Sequence, residues 1–287
     1  MRTLSRLALP AVILCLLAAA GCRRAPQRTN EVVAVSQAAP PLSPNDAVWN
    51  QAPEYLAKLL LQDLVEPRLM TPSTPELLVR AITDGSDIAF RLQWADPAQN
   101  DLPGSGRFLD ACAVQLPKTN DAKPPAPQMG EPGRPVQITF WRADWQASVN
   151  GRGDTIRDLY PNASIDHYPF EASSLEKGST AQKEMAKRYA PAEAAGNRRV
   201  GPRAMPVEDM VAEGPGTLAP APSSRSKGQG MRTREGWAVV IVRPVPDGLT
   251  PGARTVVAFA VWDGGRQEVG ARKMRTGWIP LLMRAGK

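Results

Sequence analysis

Two short apolar segments frame a proline-rich loop in the middle of the chain, and this arrangement constrains the fold more than any other feature. The first segment reads FLDACAVQLP (108–117) and the second reads VQITFWRADW (136–145). The second segment alternates with a period of two, since Val136, Ile138 and Phe140 fall on one side and Gln137, Thr139 and Trp141 on the other. A period of two predicts β-strands, so we expect two strands of one sheet with the loop held at both ends.

Further strands are predicted on either side of this region. Asp84-Gly85 separates two runs rich in apolar residues, which is typical of a β-hairpin turn. Residues 237–244 and 255–264 are apolar and β-branched enough to be central strands of a sandwich. Residues 179–190 are a short helical candidate that Ser179 or Thr180 could cap. We therefore predict a mainly β fold, an antiparallel β-sandwich of two sheets with short helices in insertions.

The first 22 residues have the pattern of an export signal. Arg2 and Arg6 precede an apolar run, and small residues lead directly to Cys22. This ending resembles a bacterial lipobox, which implies a lipoprotein signal peptide at 1–21 and lipidation of Cys22. An ordinary cleaved signal with a chance cysteine is the alternative. The apolar run is too short for a stable transmembrane helix, so we expect an exported protein, lipid-anchored to a bacterial membrane and facing the periplasm.

The rest of the chain divides into a tether and one domain. Residues 22–44 lack apolar periodicity and end in prolines, so they are predicted to be a flexible tether. The domain then spans 45–287. Within it, residues 146–206 are rich in Gly, Pro, Ala and charged residues and are predicted to be a long irregular insertion.

Residue content excludes several classes of function. Apart from Cys22, the mature chain has only Cys112, so lipidation of Cys22 would exclude an internal disulfide, and no C-x-x-C-H motif is present for covalent haem attachment. We expect Cys112 to be a small buried hydrophobic residue. The net charge is +7, but few aromatic residues lie among the arginines, so a nucleic-acid partner is not expected. The sequence shows no nucleophile and base pair, no metal-ligand cluster and no phosphate loop, so none of these features indicates an enzyme.

Met129 is the one soft, ligand-capable side chain in the central loop. Gly130 follows it and would let the backbone approach whatever the methionine contacts. A thioether presented in this way could coordinate a haem iron, although a methionine that only fills space explains the same residue. The sole histidine, His167, is the obvious rival as a ligand, because histidine is the commonest haem ligand, but a loop histidine is usually a surface residue.

Seven motifs along the chain, in this order, resemble one known family. They are DAVWNQAP (46–53), IAFRLQWAD (88–96), FLDACAVQLP (108–117), MGEP (129–132), ITFWRADW (138–145), GWAVVIVRP (236–244) and FAVWDGGRQEVGARKMRTGW (259–278). Together they resemble the haem b-binding gamma subunit of the ethylbenzene dehydrogenase family, which includes counterparts in dimethylsulfide dehydrogenase and in chlorate and selenate reductases. The resemblance also favours extended structure over helix for residues 54–65, whose leucine spacing permits both.

The resemblance implies a ligand set for a noncovalent haem b. Met129 and Lys273 would be the two axial ligands, with the lysine neutral because an ammonium has no lone pair. Fallback ligands are His167, Lys227 and Met274. Arg142 could pair with a haem propionate as a planar donor, and Trp141 could line the haem, although an exposed arginine and a core tryptophan are ordinary alternatives.

The same resemblance implies a function in electron transfer. A six-coordinate iron with two protein ligands has no open site for substrate, so the expected role is relay of single electrons between redox partner proteins. These would be molybdenum and iron–sulfur enzyme subunits, or a soluble cytochrome. Two other classes stay open at this point. One is a haem-free β-sandwich that binds a carbohydrate-like ligand, and the other is a structural envelope lipoprotein.

Overall fold

The computed structural model describes residues 28–153, 156–162, 178–189 and 203–286. The predicted signal peptide, Cys22 and His167 lie outside these residues. In the described part of the chain, no helix combines the length and the apolar character needed to cross a bilayer.

Strands account for most of the regular secondary structure in the described residues. The first seven strands are β1 (Val32–Ser36), β2 (Tyr55–Lys58), β3 (Leu60–Leu61), β4 (Glu76–Thr83), β5 (Asp87–Ala95), β6 (Ala111–Pro117) and β7 (Val136–Arg142). The other seven are β8 (Val207–Ala212), β9 (Ala219–Pro220), β10 (Lys227–Arg232), β11 (Gly236–Pro244), β12 (Arg254–Trp262), β13 (Met274–Arg275) and β14 (Ile279–Met283). The α-helices are α1 (Ala143–Val149), α2 (Ile156–Leu159) and α3 (Thr180–Tyr189), and short 3-10 helices span Ala47–Gln51 and Gly264–Arg266.

The strands form two layers that share β12. The first sheet has the order β10-β11-β5-β4-β1-β14, with β2 also paired to β4. The second sheet runs β12-β6-β7-β8-β9, with β13 and β3 beyond β12. Residues 254–257 of β12 pair with β14, and residues 258–262 pair with β6, so the strand passes from one sheet to the other. The predicted β-sandwich is confirmed. Its sheets are not wholly antiparallel, however, because β1 pairs in parallel with both β4 and β14.

The prediction of a flexible tether over 22–44 is wrong for β1. Val32, Val33 and Ala34 are buried, and the strand is hydrogen-bonded on both sides within the first sheet. A strand of five residues is too short to be recognised by its periodicity, and its partner strands β4 and β14 lie far away along the chain. The strand fills the gap between these two partners, which run in the same direction, and this explains its parallel pairing.

Several local predictions are confirmed. Within residues 54–65, Tyr55–Lys58 and Leu60–Leu61 are extended as β2 and β3, and β4 and β5 form the predicted hairpin around Gly85, whose φ of 94° suits glycine. Ser179 caps α3, since its Oγ accepts a hydrogen bond from the Gln182 amide at 3.1 Å. Residues 207–212 form β8, which pairs with β7 on one side and β9 on the other.

The main core lies between the two sheets. At one end of it, Trp141 contacts Trp94 and Trp237 edge to face, with ring centres 6.3 and 5.1 Å apart. Cys112 is fully buried in the same core, as predicted. Gly230 lies against the Trp141 ring, where any side chain would collide with the indole. The inner face of the second sheet is thus filled, and its outer face remains for a site.

Candidate functional site

On the outer face of the second sheet, small side chains leave open a space that larger side chains would fill. Four alanines lie on the neighbouring strands β6 and β12, and we call them the alanine floor: Ala111, Ala113, Ala258 and Ala260. Ala260 pairs directly with Ala113 across the two strands. Larger side chains surround the floor, namely Ile138, Phe140, Met210 and Trp262. The short alanine side chains leave a cavity of about 670 Å³ above the sheet, a size typical of cofactor sites.

Met129 lies in the loop between β6 and β7 and lines this cavity. Its backbone has a φ of 66°, which is uncommon for a bulky side chain and costs on the order of 1 kcal/mol or more. The conformation is held by neighbours, since the Met129 carbonyl accepts a hydrogen bond from the Gly214 amide at 2.8 Å. Gly130 approaches the Ala212 carbonyl so closely that a Cβ would come within 2.9 Å of that oxygen. A glycine is therefore needed next to the methionine.

Side chains from outside the loop also fix its position. The Gln115 side-chain amide, from β6, donates a hydrogen bond to the Pro127 carbonyl at 2.9 Å. The Trp278 indole donates to the Pro125 carbonyl at 2.6 Å. The loop is thus held to the sheet on both sides of the turn that presents Met129.

Lys273 lines the same cavity from the segment that leads into β13. Its ammonium nitrogen lies 5.1 Å from the centre of the Trp262 ring, and it makes no hydrogen bond or ion pair with any residue that the structure describes. Burial, and secondarily the charge of Arg275, lower the pKa of Lys273 to about 8. The amine therefore loses its proton far more easily than an exposed lysine does.

Comparison with known proteins identifies the family. Residues 46–274 match the ethylbenzene dehydrogenase family. The chain belongs to the ethylbenzene dehydrogenase family. Two related proteins have names that describe them as subunits. The chain is 26% identical over 234 residues to the chlorate reductase subunit gamma of Ideonella dechloratans, covering 79% of this chain and 72% of that one. It is 31% identical over 160 residues to the "Putative respiratory nitrate reductase heme subunit ORF7" of Haloferax mediterranei, covering 52% of this chain and 58% of that one.

Among solved structures, the chain is similar to a carbohydrate binding module family 9 (CBM9) from Caldicellulosiruptor kristjanssonii in complex with cellotriose. The TM-score is 0.41 at 10% identity, over 91% of this chain and 95% of that chain. The same module in complex with glucose gives a TM-score of 0.42 at 9% identity, over 91% and 97% of the two chains. A likeness at this level carries no argument about the function of this family member.

The fallback ligands either lie away from the cavity or fall outside the described residues. Met274 follows Lys273 directly, but strand alternation turns it into the main core, where it is 2% exposed. Lys227 is exposed on β10 and does not line the cavity. His167 lies outside the described residues.

Arg142, at the end of β7, lines the cavity as well. Its guanidinium pairs side-on with Asp144, through Nε to Oδ1 at 2.9 Å and Nη2 to Oδ2 at 2.6 Å. It also lies over the Trp145 ring, 4.7 Å from its centre. Both contacts hold the guanidinium at the cavity wall.

The structure separates Trp141 from the other three predicted site residues. Trp141 is fully buried in the main core, its indole donates to Gln146 at 3.2 Å, and it does not line the cavity. Its neighbour Phe140 takes the cavity side of β7 instead. The period of two in the sequence separates these two residues correctly, but it does not say which of them faces the second layer.

Sequence reasoning missed other residues at the cavity. Arg107 and Arg275 add positive charge to its lining. Glu268 also lines it, is 1% exposed and accepts a hydrogen bond from the Asp263 amide through Oε2 at 3.0 Å. Burial raises the pKa of Glu268. No local pattern marks these residues, because the cavity is assembled from segments far apart in the chain.

Proposed function

We propose that this chain binds a noncovalent haem b in the cavity over the alanine floor and serves as an electron-transfer subunit of an oxidoreductase complex. Met129 and Lys273 would be the residues that hold the iron. The observation that carries the proposal is that these two side chains, 144 positions apart in sequence, line one cavity.

The donor set suits this group. A thioether and a neutral amine both offer a lone pair to iron, and methionine is an established axial ligand of haem. Lys273 has no carboxylate partner among the described residues, and its lowered pKa favours the neutral amine. The strained backbone at Met129 is the kind of feature that clusters at ligand sites. Coordination of iron would therefore explain both the lowered pKa of Lys273 and the strained backbone of Met129.

The lining suits a flat, mostly apolar ring with acidic side chains. The alanine floor gives space against the sheet, and Phe140 and Trp262 add aromatic surface. Arg107, Arg142 and Arg275 also line the cavity, and guanidinium groups pair well with carboxylates such as haem propionates. Arg142 is the best placed of these for a fixed interaction, because Asp144 already orients it.

Bound haem would supply a one-electron couple. With two ligands from this chain, the metal would have no open site for substrate, so we infer a relay subunit and not a catalytic one. A methionine ligand would also raise the reduction potential. The chain itself then contributes binding, orientation and exclusion of water.

The relatives support a place in a larger complex. One is described as a gamma subunit of chlorate reductase and the other as a heme subunit of a respiratory nitrate reductase. We therefore propose a catalytic partner, of the molybdenum and iron–sulfur type, and a cytochrome as the second redox partner. From the first 22 residues we further propose export to the periplasm and a lipid anchor at Cys22.

The test is the absorption spectrum of the full-length chain produced with an adequate haem supply. We expect a sharp low-spin Soret band that Met129→Ala and Lys273→Ala each disturb. Matched controls are Met70→Ala, at a methionine that is 75% exposed, and Lys227→Ala, at an exposed lysine, and both should leave the spectrum unchanged. A folded but colourless protein that haem cannot reconstitute would contradict the proposal.

A further inference from the structure

Three aspartates meet at one end of the sandwich, outside the cavity. Asp96 follows β5, Asp110 precedes β6 and Asp263 follows β12. One carboxylate oxygen from each lies within 4.8 Å of the others. Asp96 and Asp110 are buried, and Asp263 is partly buried. Close carboxylates repel one another, so something must compensate for their charge.

Asp96 provides a second, separate observation. It is only 2% exposed, and its Oδ2 is buried with no hydrogen-bond partner among the described residues. The other oxygen, Oδ1, accepts from the Ala98 amide at 3.0 Å. A buried carboxylate oxygen without a partner is costly, and such groups in proteins are normally paired or coordinate a metal.

The Asp110 carboxylate accepts hydrogen bonds that stabilise its charged form. Its Oδ2 accepts from the Asn100 amide at 2.7 Å and from the Trp237 indole at 3.0 Å, and its Oδ1 accepts from the Gly264 amide at 3.0 Å. Three N–H donors favour the charged carboxylate, although burial raises its pKa overall.

The surrounding protein supplies little positive charge. Arg232 donates through Nη2 to the Asp96 backbone carbonyl at 2.6 Å, and not to a carboxylate. Burial, and then the charge of Asp110, raise the pKa of Asp96 to about 7. The charge of Arg232 thus acts on the Asp96 carboxylate without a direct hydrogen bond.

We propose that Asp96, Asp110 and Asp263 bind one Ca²⁺ ion. All three ligands are hard oxygens, with no His or Cys in the cluster, which favours Ca²⁺ over zinc or copper. Oxygens bound to one Ca²⁺ are at most about 5 Å apart, because each Ca–O distance is about 2.3 to 2.6 Å, and the observed spread meets this limit.

The ion would join elements that also build the cavity. It ties the end of β5 in the first sheet to β6 and β12 in the second. The segment that follows Asp263 lines the cavity from residue 268 onward and leads to Lys273. The inference does not depend on haem binding, since a cation here stabilises the folded chain with or without a cofactor.

The experiment is thermal unfolding of the full-length chain after removal of metal with EGTA, measured with and without CaCl₂ and with MgCl₂ as comparison. We expect Ca²⁺ at saturating concentration to raise the Tm by on the order of 5 °C or more. Elemental analysis should find one calcium per chain. Asp96→Asn and the less buried Asp263→Asn should each abolish the shift, and the exposed control Asp247→Asn should keep it.

Three results would overturn the assignment. The first is a wild-type Tm that is the same in Ca²⁺ and EGTA, with no calcium bound. The second is a Tm that changes with pH near 7 but not with Ca²⁺, since this would mean that a shared proton compensates for the charge. The third is a Ca²⁺ shift that survives in Asp263→Asn, in which substitution at a partly exposed position leaves the chain folded.

Discussion

The ammonium of Lys273 lies 5.1 Å from the centre of the Trp262 ring, at the edge of the alanine floor. A cation over an indole face is stabilised by roughly 0.5 to 2 kcal/mol, which compensates only in part for the lost hydration. Among the described residues no carboxylate completes the compensation. The lysine is therefore held in its charged form at a cost, and loss of its proton relieves that cost.

Replacement of Lys273 by methionine should stabilise the chain without cofactor. The change removes a partly buried ammonium and keeps a flexible side chain of similar length, so we expect the free energy of unfolding at pH 7 to rise by about 1 kcal/mol. Urea denaturation measures this change. Lys227→Met, at an exposed position of β10, is the matched control and should leave stability within about 0.5 kcal/mol. A clear loss of stability in Lys273→Met would show that the charged amine has a partner.

Stability of the apoprotein should depend on pH through the same group. The pKa of Lys273 is lowered from 10.5 to about 8 in the folded state, so the unfolded state binds more protons between these values. The burial penalty is present in full below pH 8 and is lost as pH rises to 10.5. Wild type should thus become more stable relative to Lys273→Met over this range, as followed by urea midpoints. Parallel curves for the two proteins would contradict the lowered pKa.

Binding of haem should strengthen as pH rises toward 8. Below that pH the amine must lose a proton before it can coordinate, so the affinity should fall about tenfold for each pH unit. Titration of the apoprotein with haem at pH 6, 7 and 8 measures the slope. In Lys273→Met this slope should disappear, and its persistence would place the pH dependence in another group.

Met129→Leu should change the haem without unfolding the loop. Leucine keeps an apolar side chain but offers no lone pair, so we expect loss of the low-spin spectrum and a reduction potential lower by on the order of 0.1 V. Met70→Leu, at an exposed methionine, is the matched control. Potentiometric titration followed by absorbance measures both variants. An unchanged potential in Met129→Leu would exclude the methionine as a ligand.

Ala260→Leu should block the cavity while the fold persists. The larger side chain rises from the centre of the alanine floor, where it overlaps the space proposed for the cofactor, so haem affinity should fall tenfold or more, corresponding to about 1.4 kcal/mol or above. The apoprotein should keep its stability within about 1 kcal/mol because the new side chain enters open space. Ala181→Leu on the exposed surface of α3 is the control. Equal haem affinity in both variants would move the site elsewhere.

Trp141→Phe should affect stability and leave the haem spectrum unchanged. Trp141 lies in the core between Trp94 and Trp237, so the smaller ring should cost roughly 1 to 2 kcal/mol in the free energy of unfolding. Phe140→Leu, on the opposite face of the same strand, should show the reverse pattern, with an altered spectrum. A spectral change in Trp141→Phe would mean that the core side of β7 also contacts the cofactor.

Several features of this molecule could be predicted from short stretches of sequence, because they depend on the properties of neighbouring residues. Alternation over residues 136–142 predicts a strand, Asp84-Gly85 predicts a hairpin, and Met129-Gly130 marks a loop that can present a ligand. The family resemblance predicts Lys273 as a second ligand beside Met129, and this stays a prediction. The strand, the hairpin and the loop each depend on residues close together in the chain, whereas the second ligand depends on a resemblance that spans most of it.

Only the tertiary structure decided the rest. It assigned Phe140 to the cavity and Trp141 to the core, because a period of two separates two faces without saying which one meets another sheet. It made β1 an internal strand through partners distant in sequence. It also brought Asp96, Asp110 and Asp263 together from the ends of three strands. Long-range strand pairing creates these neighbourhoods, and no local pattern of residues encodes which strands will pair.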